Sequence, residues 1–207
     1  MELYILSFKG KDMDISQKHL EKTLSSAINV LFIKDYYLLK NDVNERSITH
    51  KLGSYLQDIV GNEYDVDCEY NKNGASENFI KKIKASSGKC EINTEDCLLK
   101  VGKQREKCIY PDIIVHHRGS DNNILIIEVK KADNIESDKG IKYDKFKLEQ
   151  YTGKDSSLNY QYGVLLILGI KNDLNKYKLI WYENGLETIS DKFKYNRVDN
   201  KILQIIE

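Results

Sequence analysis

The chain has 207 residues, of which 41% are hydrophobic and 31% charged, and its 32 basic and 32 acidic side chains cancel. That length suits about one domain with a real core, and the zero net charge excludes a strong global field while still allowing a basic groove offset by a carboxylate site. No run reaches the roughly 18 apolar residues of a membrane span, and the opening MELYILSFKGKDMD lacks the pattern of a secretory signal, so an intracellular, cytoplasmic protein is expected. Cys68, Cys90, Cys97 and Cys108 form no Cys-x-x-Cys pair and lack histidines at zinc-finger spacing, which predicts reduced thiols.

In chain order, residues 2–8 predict a short edge strand. From Asp14 onward Ile15, Leu20, Leu24, Ile28, Leu31 and Phe32 recur at helical steps. A second amphipathic helix follows, with a stripe of Ile48, Leu52, Tyr55, Leu56 and Ile59, Asn44 as its N-cap and Gly61 as its stop. Residues 63–71, EYDVDCEYN, alternate as a strand does. Residues 72–108 are rich in Lys, Ser, Gly and Asn and exceed a normal connection, so an insertion with one short helix is expected there.

Two strands come next, PDIIVHH and ILIIEVKK, joined by the turn-forming RGSDNN. YDKFKLEQYT predicts a helix ended by Gly153, and YQYGVLLILGI (160–170) reads as a strand covered on both faces. A right-handed crossover between ILIIEVKK and GVLLILGI makes those strands parallel. KYKLIWYENG supplies a hairpin partner, and KILQIIE closes the chain. The expected fold is a single α/β domain with a mixed sheet flanked by helices.

Chemistry concentrates in one stretch. Side chains alternate along a strand, so Glu128 and Lys130 share a face while Val129 turns into the core. A hairpin brings Asp112 beside the end of the second strand. Two buried carboxylates repel each other and are costly alone; a divalent cation such as Mg²⁺ is the simplest neutraliser, and its chemistry suits phosphate esters. Lys130 then supplies fixed positive charge, or positions and deprotonates a water. The competing reading is an interstrand salt bridge without chemistry.

Pro111-Asp112 followed by Glu128-Val129-Lys130 resembles the PD-(D/E)XK motif of the restriction-endonuclease-like nuclease superfamily, and the phrases around it look like those of uncharacterised bacterial members. The resemblance covers roughly residues 43–170 and implies an αβββαβ core, the first forty-odd residues forming a helical extension. It implies that Asp112 and Glu128, the Val129 backbone carbonyl and a helix acid matched by Glu45 hold Mg²⁺, with Mn²⁺ as substitute, and that Lys130 serves the hydrolytic water. Many members place a glutamine and, four residues on, a tyrosine on the following helix; here Gln150 and Tyr151 are adjacent, so that pattern is not matched.

Each remaining candidate carries two readings. Glu45 is either a ligand or a helix-start carboxylate favoured by the dipole. Lys145 and Lys147 either contact phosphates or form a solvated face, and Gln150 is a further substrate candidate. His116, which shares strand parity with Asp112, is either a substrate contact or a hydrogen-bonded core or rim histidine, and His50 either reaches the Glu45 rim or does not. The leading expectation is a Mg²⁺-dependent nuclease acting on DNA, as a homodimer if it cuts both strands. The rivals are an inactive nucleic-acid- or protein-binding module of the same fold and a subunit of a defence or mobile-element system that acts only with a partner.

Overall fold

A computed structural model describes residues 16–70, 82–85, 98–101, 104–108 and 110–205. The predicted strand at residues 2–8 lies outside them. Three helices open the described chain: α1 (Gln17–Lys34), α2 (Tyr36–Lys40) and α3 (Glu45–Val60). The Asn44 side chain caps α3 by accepting from the Arg46 N–H, and Gly61, at φ 65°, ends it, as the cap residues predict. A glycine inside a helix weakens it, and Gly53 has a packing reason to be there. A Cβ at that position would stand 2.7 Å from Cys68 Sγ, because α3 lies close on strand β1 (Asp65–Cys68).

The described parts of residues 72–108 are strands: β2 (Lys82–Ala85), β3 (Leu98–Val101) and β4 (Gln104–Cys108), which form a separate antiparallel sheet in the order β2-β4-β3. The main chain continues through β5 (Ile113–His116), β6 (Asn123–Ala132), α4 (Lys142–Thr152), β7 (Tyr160–Gly169), β8 (Lys176–Glu183), β9 (Leu186–Asn196) and β10 (Lys201–Ile205). Seven of these strands form one mixed sheet, ordered β1-β5-β6-β7-β8-β9-β10. β5 and β6 pair antiparallel, β6 and β7 pair parallel through the α4 crossover, and β8 turns back against β7. Asn184 and Gly185 link β8 to β9 with φ of 52° and 78°, the paired positive values that tight hairpins require.

Helices cover both faces of this sheet. On one, α1 and α3 bury Leu24, Ile28, Leu52 and Leu56 against Val115, Ile127, Leu166 and Trp181. On the other, α4 sets Leu148 and Tyr151 against Ile114, Ile126, Leu165 and Ile167. β6 and β7 are therefore sandwiched, which is why their sequences are nearly continuous apolar runs rather than alternating ones. Among the described residues, no helix is long and apolar enough to cross a membrane.

Candidate active site

The exception to the apolar character of β6 lies at its C-terminal end. β5 and β6 run in register with Ile113 opposite Ile127, which sets Asp112 opposite Glu128, as the motif predicts. β5 stops there while β6 continues to Ala132. The β6 N–H groups past that point have lost their strand partner and must find another acceptor. Two carboxylates provide it: Asp112 Oδ2 accepts from the Val129 N–H at 2.7 Å, and Glu45 Oε2 accepts from the Lys131 N–H at 3.0 Å. The N–H and C=O of a strand residue share a side, so the Val129 carbonyl faces the same edge as Asp112.

Glu128 and Lys130 face α4. Lys147 Nζ donates to Glu128 Oε2 at 2.5 Å and forms an ion pair with Asp144 Oδ1 at 2.9 Å. Asp144 Oδ2 lies 3.6 Å from Lys130 Nζ, which is also 3.7 Å from Glu45 Oε1. Three carboxylates and two amines thus interlock, with Asp144 bridging the amines. The cluster is graded in depth: Glu128 is 2% exposed and the Lys147 side chain 13%, whereas Glu45 and Lys130 keep about a third of theirs in solvent, at 32% and 34%.

Burial dominates the titration of the inner acid. It drives the Glu128 carboxyl up to about 8; Lys147 opposes the rise, while Asp112 and Asp144 reinforce it. Asp112 moves upward as well, chiefly through burial, against the pull of the Val129 N–H. For Lys130 burial works downward, but the charges of Asp144, Glu45 and Asp112 outweigh it, and the net displacement is upward. Lys130 is accordingly an ammonium at neutral pH. Glu128 Oε1 and the Tyr151 hydroxyl are both buried beside each other, with no other hydrogen-bond partner among the described residues. Burial and then the neighbouring Glu128 hold that hydroxyl well above the usual tyrosine range.

The sequence candidates divide clearly. Asp112, Glu128, Val129, Lys130 and Glu45 meet at one edge, and Lys147 joins them as a partly buried partner of Glu128. Lys145 sits apart, with Asp138 and Glu187. His116 lies at the far end of β5, buried against Asp67, which it meets at 2.9 Å, and beside the Tyr70 ring; it is a hydrogen-bonded histidine remote from Asp112. His50 is exposed on α3, five residues and about 140° round the helix from Glu45. Gln150 is exposed on α4. The sequence reading gave no role to Asp144. Its spacing of i, i+3 to Lys147 was the available signal, but nothing in the sequence showed that this face of α4 meets Glu128.

Among the described residues, no three His, Cys, Asp or Glu side chains gather tightly enough to form a metal site by themselves. Glu45, at the same edge, is engaged by the Lys131 N–H and Lys130. The donors still fit a hard cation. Mg²⁺ takes one or two carboxylates and fills its remaining positions with water and substrate phosphate, and Asp112 and the buried Glu128 offer such a carboxylate pair. Cys68 has no disulfide, and burial raises its thiol to about 11.

No protein-family model matches the chain, and no curated protein matches it. Among solved structures it is similar to the crystal structure of SSO0001, at 15% identity and a TM-score of 0.28, over 72% of this chain and 61% of that one. The chain thus spans about three-fifths of that protein's length. Similarity this faint fixes neither fold nor activity.

Proposed function

We propose that the chain is a divalent-cation-dependent nuclease that hydrolyses phosphodiester bonds in DNA. The observation that carries the reading is the placement of Asp112 directly across from Glu128, with the buried Glu128 carboxyl beside it and the Lys130 ammonium at the open end. Asp112, Glu128 and the Val129 carbonyl would hold the cation. When bound, Mg²⁺ or Mn²⁺ supplies Lewis-acid charge at a phosphoryl oxygen and acidifies the attacking water. The element order supports the restriction-endonuclease-like form of the fold: with the β2-β4-β3 sheet set aside as an insertion between β1 and β5, α3-β1-β5-β6-α4-β7 reads αβββαβ.

The chain's own residues then have separable tasks. Lys130 stays protonated, so it serves as charge beside the phosphate and as an anchor for the water, and not as a base. Asp144 and Glu45 hold that amine from two sides. In the hydrolysis the water oxygen bonds to phosphorus, one P–O ester bond breaks, and the departing oxygen takes a proton. A panel of labelled duplex, single-stranded, branched and RNA substrates, incubated with Mg²⁺ or Mn²⁺, tests the reading against the Glu128→Gln protein. Metal-dependent cleavage by the parent and none by the variant is the expected outcome.

One observation favours a second reading. Lys147 already neutralises Glu128, and Asp112 and Glu45 already complete the β6 ladder, so the charges could serve structure alone in a nucleic-acid- or protein-binding module. Calorimetry separates the two: that module takes up neither Mg²⁺ nor Mn²⁺, and its DNA retention is indifferent to chelator.

A further inference from the structure

The last strands of the main sheet carry a basic face. On β8, Tyr177 and Leu179 pack into the core under α1 and α3, so by alternation Lys176 and Lys178 lie on the side of α4. Phe193 and Tyr195 do the same on β9, which puts Lys192 and Lys194 on that side as well. Register sets Lys178 opposite Lys192 and Lys176 opposite Lys194, and on β10 it sets Lys201 opposite Asn196, diagonal to Lys194. Like charges at opposing positions cost stability, and two such pairs follow one another here. Glu136, from the connection between β6 and α4, straddles the first, with Oε2 3.1 Å from Lys178 Nζ and Oε1 2.8 Å from Lys192 Nζ. This carboxylate shows the geometry in which the face takes an anion. Asp173 meets Lys176 at 2.7 Å. Lys194 and Lys201 are exposed and pair with no acid among the described residues.

This face leads to the candidate active site. Lys130 pairs with Ile167, Ile167 with Lys178, and Lys178 with Lys192, one row across the sheet on the side of α4. Strands lie about 4.8 Å apart, so the Cα atoms of Lys178 and Lys192 stand about 10 Å and about 14 Å from that of Lys130. Beside the row is a cleft of about 460 Å³ lined by Ile135, Glu136, Asp173, Lys176 and Lys192. We infer that the Lys176–Lys194–Lys201 face and this cleft form a nucleic-acid-binding surface that holds backbone phosphates beside the carboxylate site. The inference deepens the nuclease reading and rests on it for the choice of polyanion. An anionic membrane offers the same charge, but the apolar residues that β10 adds to this face are Leu203 and Ile205, without the aromatic residues by which interfacial segments enter lipid. Contacts to phosphate are indifferent to base sequence, so the surface sets affinity and register and leaves cutting to the carboxylates.

The test is fluorescence anisotropy on the full chain, with labelled 30-mer duplex and single-stranded DNA in chelator across a salt series. The triple variant Lys176→Ala/Lys194→Ala/Lys201→Ala should lose about tenfold or more in affinity, and its slope of log affinity against log salt should flatten by about 3. The charge-keeping Lys176→Arg/Lys194→Arg/Lys201→Arg variant should bind like the parent, and so should Lys18→Ala/Lys22→Ala/Lys51→Ala, which removes three exposed lysines from α1 and α3. Should the triple alanine protein fail to fold, Lys194→Gln alone, at an exposed position, should flatten the slope by about 1. Parental affinity and slope in the lysine-to-alanine face variant, an equal loss in the α1 and α3 control, or a parent that ignores DNA yet sediments with phosphatidylserine vesicles overturns the surface. A parent that binds through this face but never cuts refutes the nuclease reading and leaves the surface standing; one that cuts while the face variant binds unchanged refutes the surface alone.

Discussion

Lys147 Nζ donates to Glu128 Oε2 at 2.5 Å, and this contact joins α4 to the middle of the sheet at a point where Glu128 is 2% exposed. Taking one member from a buried ion pair leaves the other uncompensated, at a cost of about 3–5 kcal/mol. At pH 9, where Glu128 is ionised, Lys147→Met should lower the unfolding free energy in urea by about 3 kcal/mol. The double variant Glu128→Gln/Lys147→Met should recover most of that loss. Additive losses in the double variant would mean that the two groups do not interact.

The same carboxyl makes stability depend on pH. Its ordinary value is 4.5 and burial raises it to about 8 in the folded chain, so the folded protein holds this proton more tightly than the unfolded one. The associated stability is fully present below about pH 4.5, falls as pH rises, and is gone once pH has passed about 8. Glu128→Gln cannot ionise. The variant should therefore gain on the parent by a few kcal/mol between those limits, and the difference should level off above them. Asp112, also raised by burial, keeps a slope of the same sign in the variant. Paired chemical denaturation curves from pH 4 to 9 check this; a pH-independent difference contradicts it.

Glu45 and His50 share a helix but should behave differently. Glu45→Ala removes the acceptor of the Lys131 N–H and one of the two carboxylates beside Lys130. It should cost about 1–2 kcal/mol of stability and reduce DNA cleavage about tenfold or more. His50→Ala, on the exposed side of α3, should leave both within error. Thermal melts with a cleavage assay distinguish the cases, and an active Glu45→Ala protein would remove that residue from the site.

Much of this arrangement was legible in the sequence, because local rules govern it. Asn44 and Gly61 bounded α3, Gly153 followed α4, alternation placed Glu128 and Lys130 on one face, and the apolar runs of β6 and β7 announced burial on both sides. The turn between β5 and β6 announced a hairpin that brings Asp112 near the end of β6, though not the register that sets it across from Glu128. What escaped was long-range. Nothing in the local pattern of α4 told a solvated Lys147 from one pressed against Glu128 nineteen positions away, and Asp144 had no signal beyond its spacing to that lysine. His116 matches the second of its two readings, a hydrogen-bonded histidine: strand parity puts it on the face of Asp112 but is silent about position along the strand, and the partner at its own end is Asp67. The described parts of residues 72–108 are strands, which their short charged segments did not announce, and the rest of that stretch lies outside the described residues.

The central claim is that Asp112 and Glu128 converge to serve phosphodiester hydrolysis. Its most direct measurement is the cleavage rate of end-labelled duplex DNA in Mg²⁺ for the parent and for Asp112→Asn, a near-isosteric change that removes the charge. The account predicts cutting by the parent that stops on chelation and falls about a hundredfold or more in the variant, with the fold intact by circular dichroism. Equal cleavage by the two proteins, or a parent inert on every substrate in either metal, would contradict it.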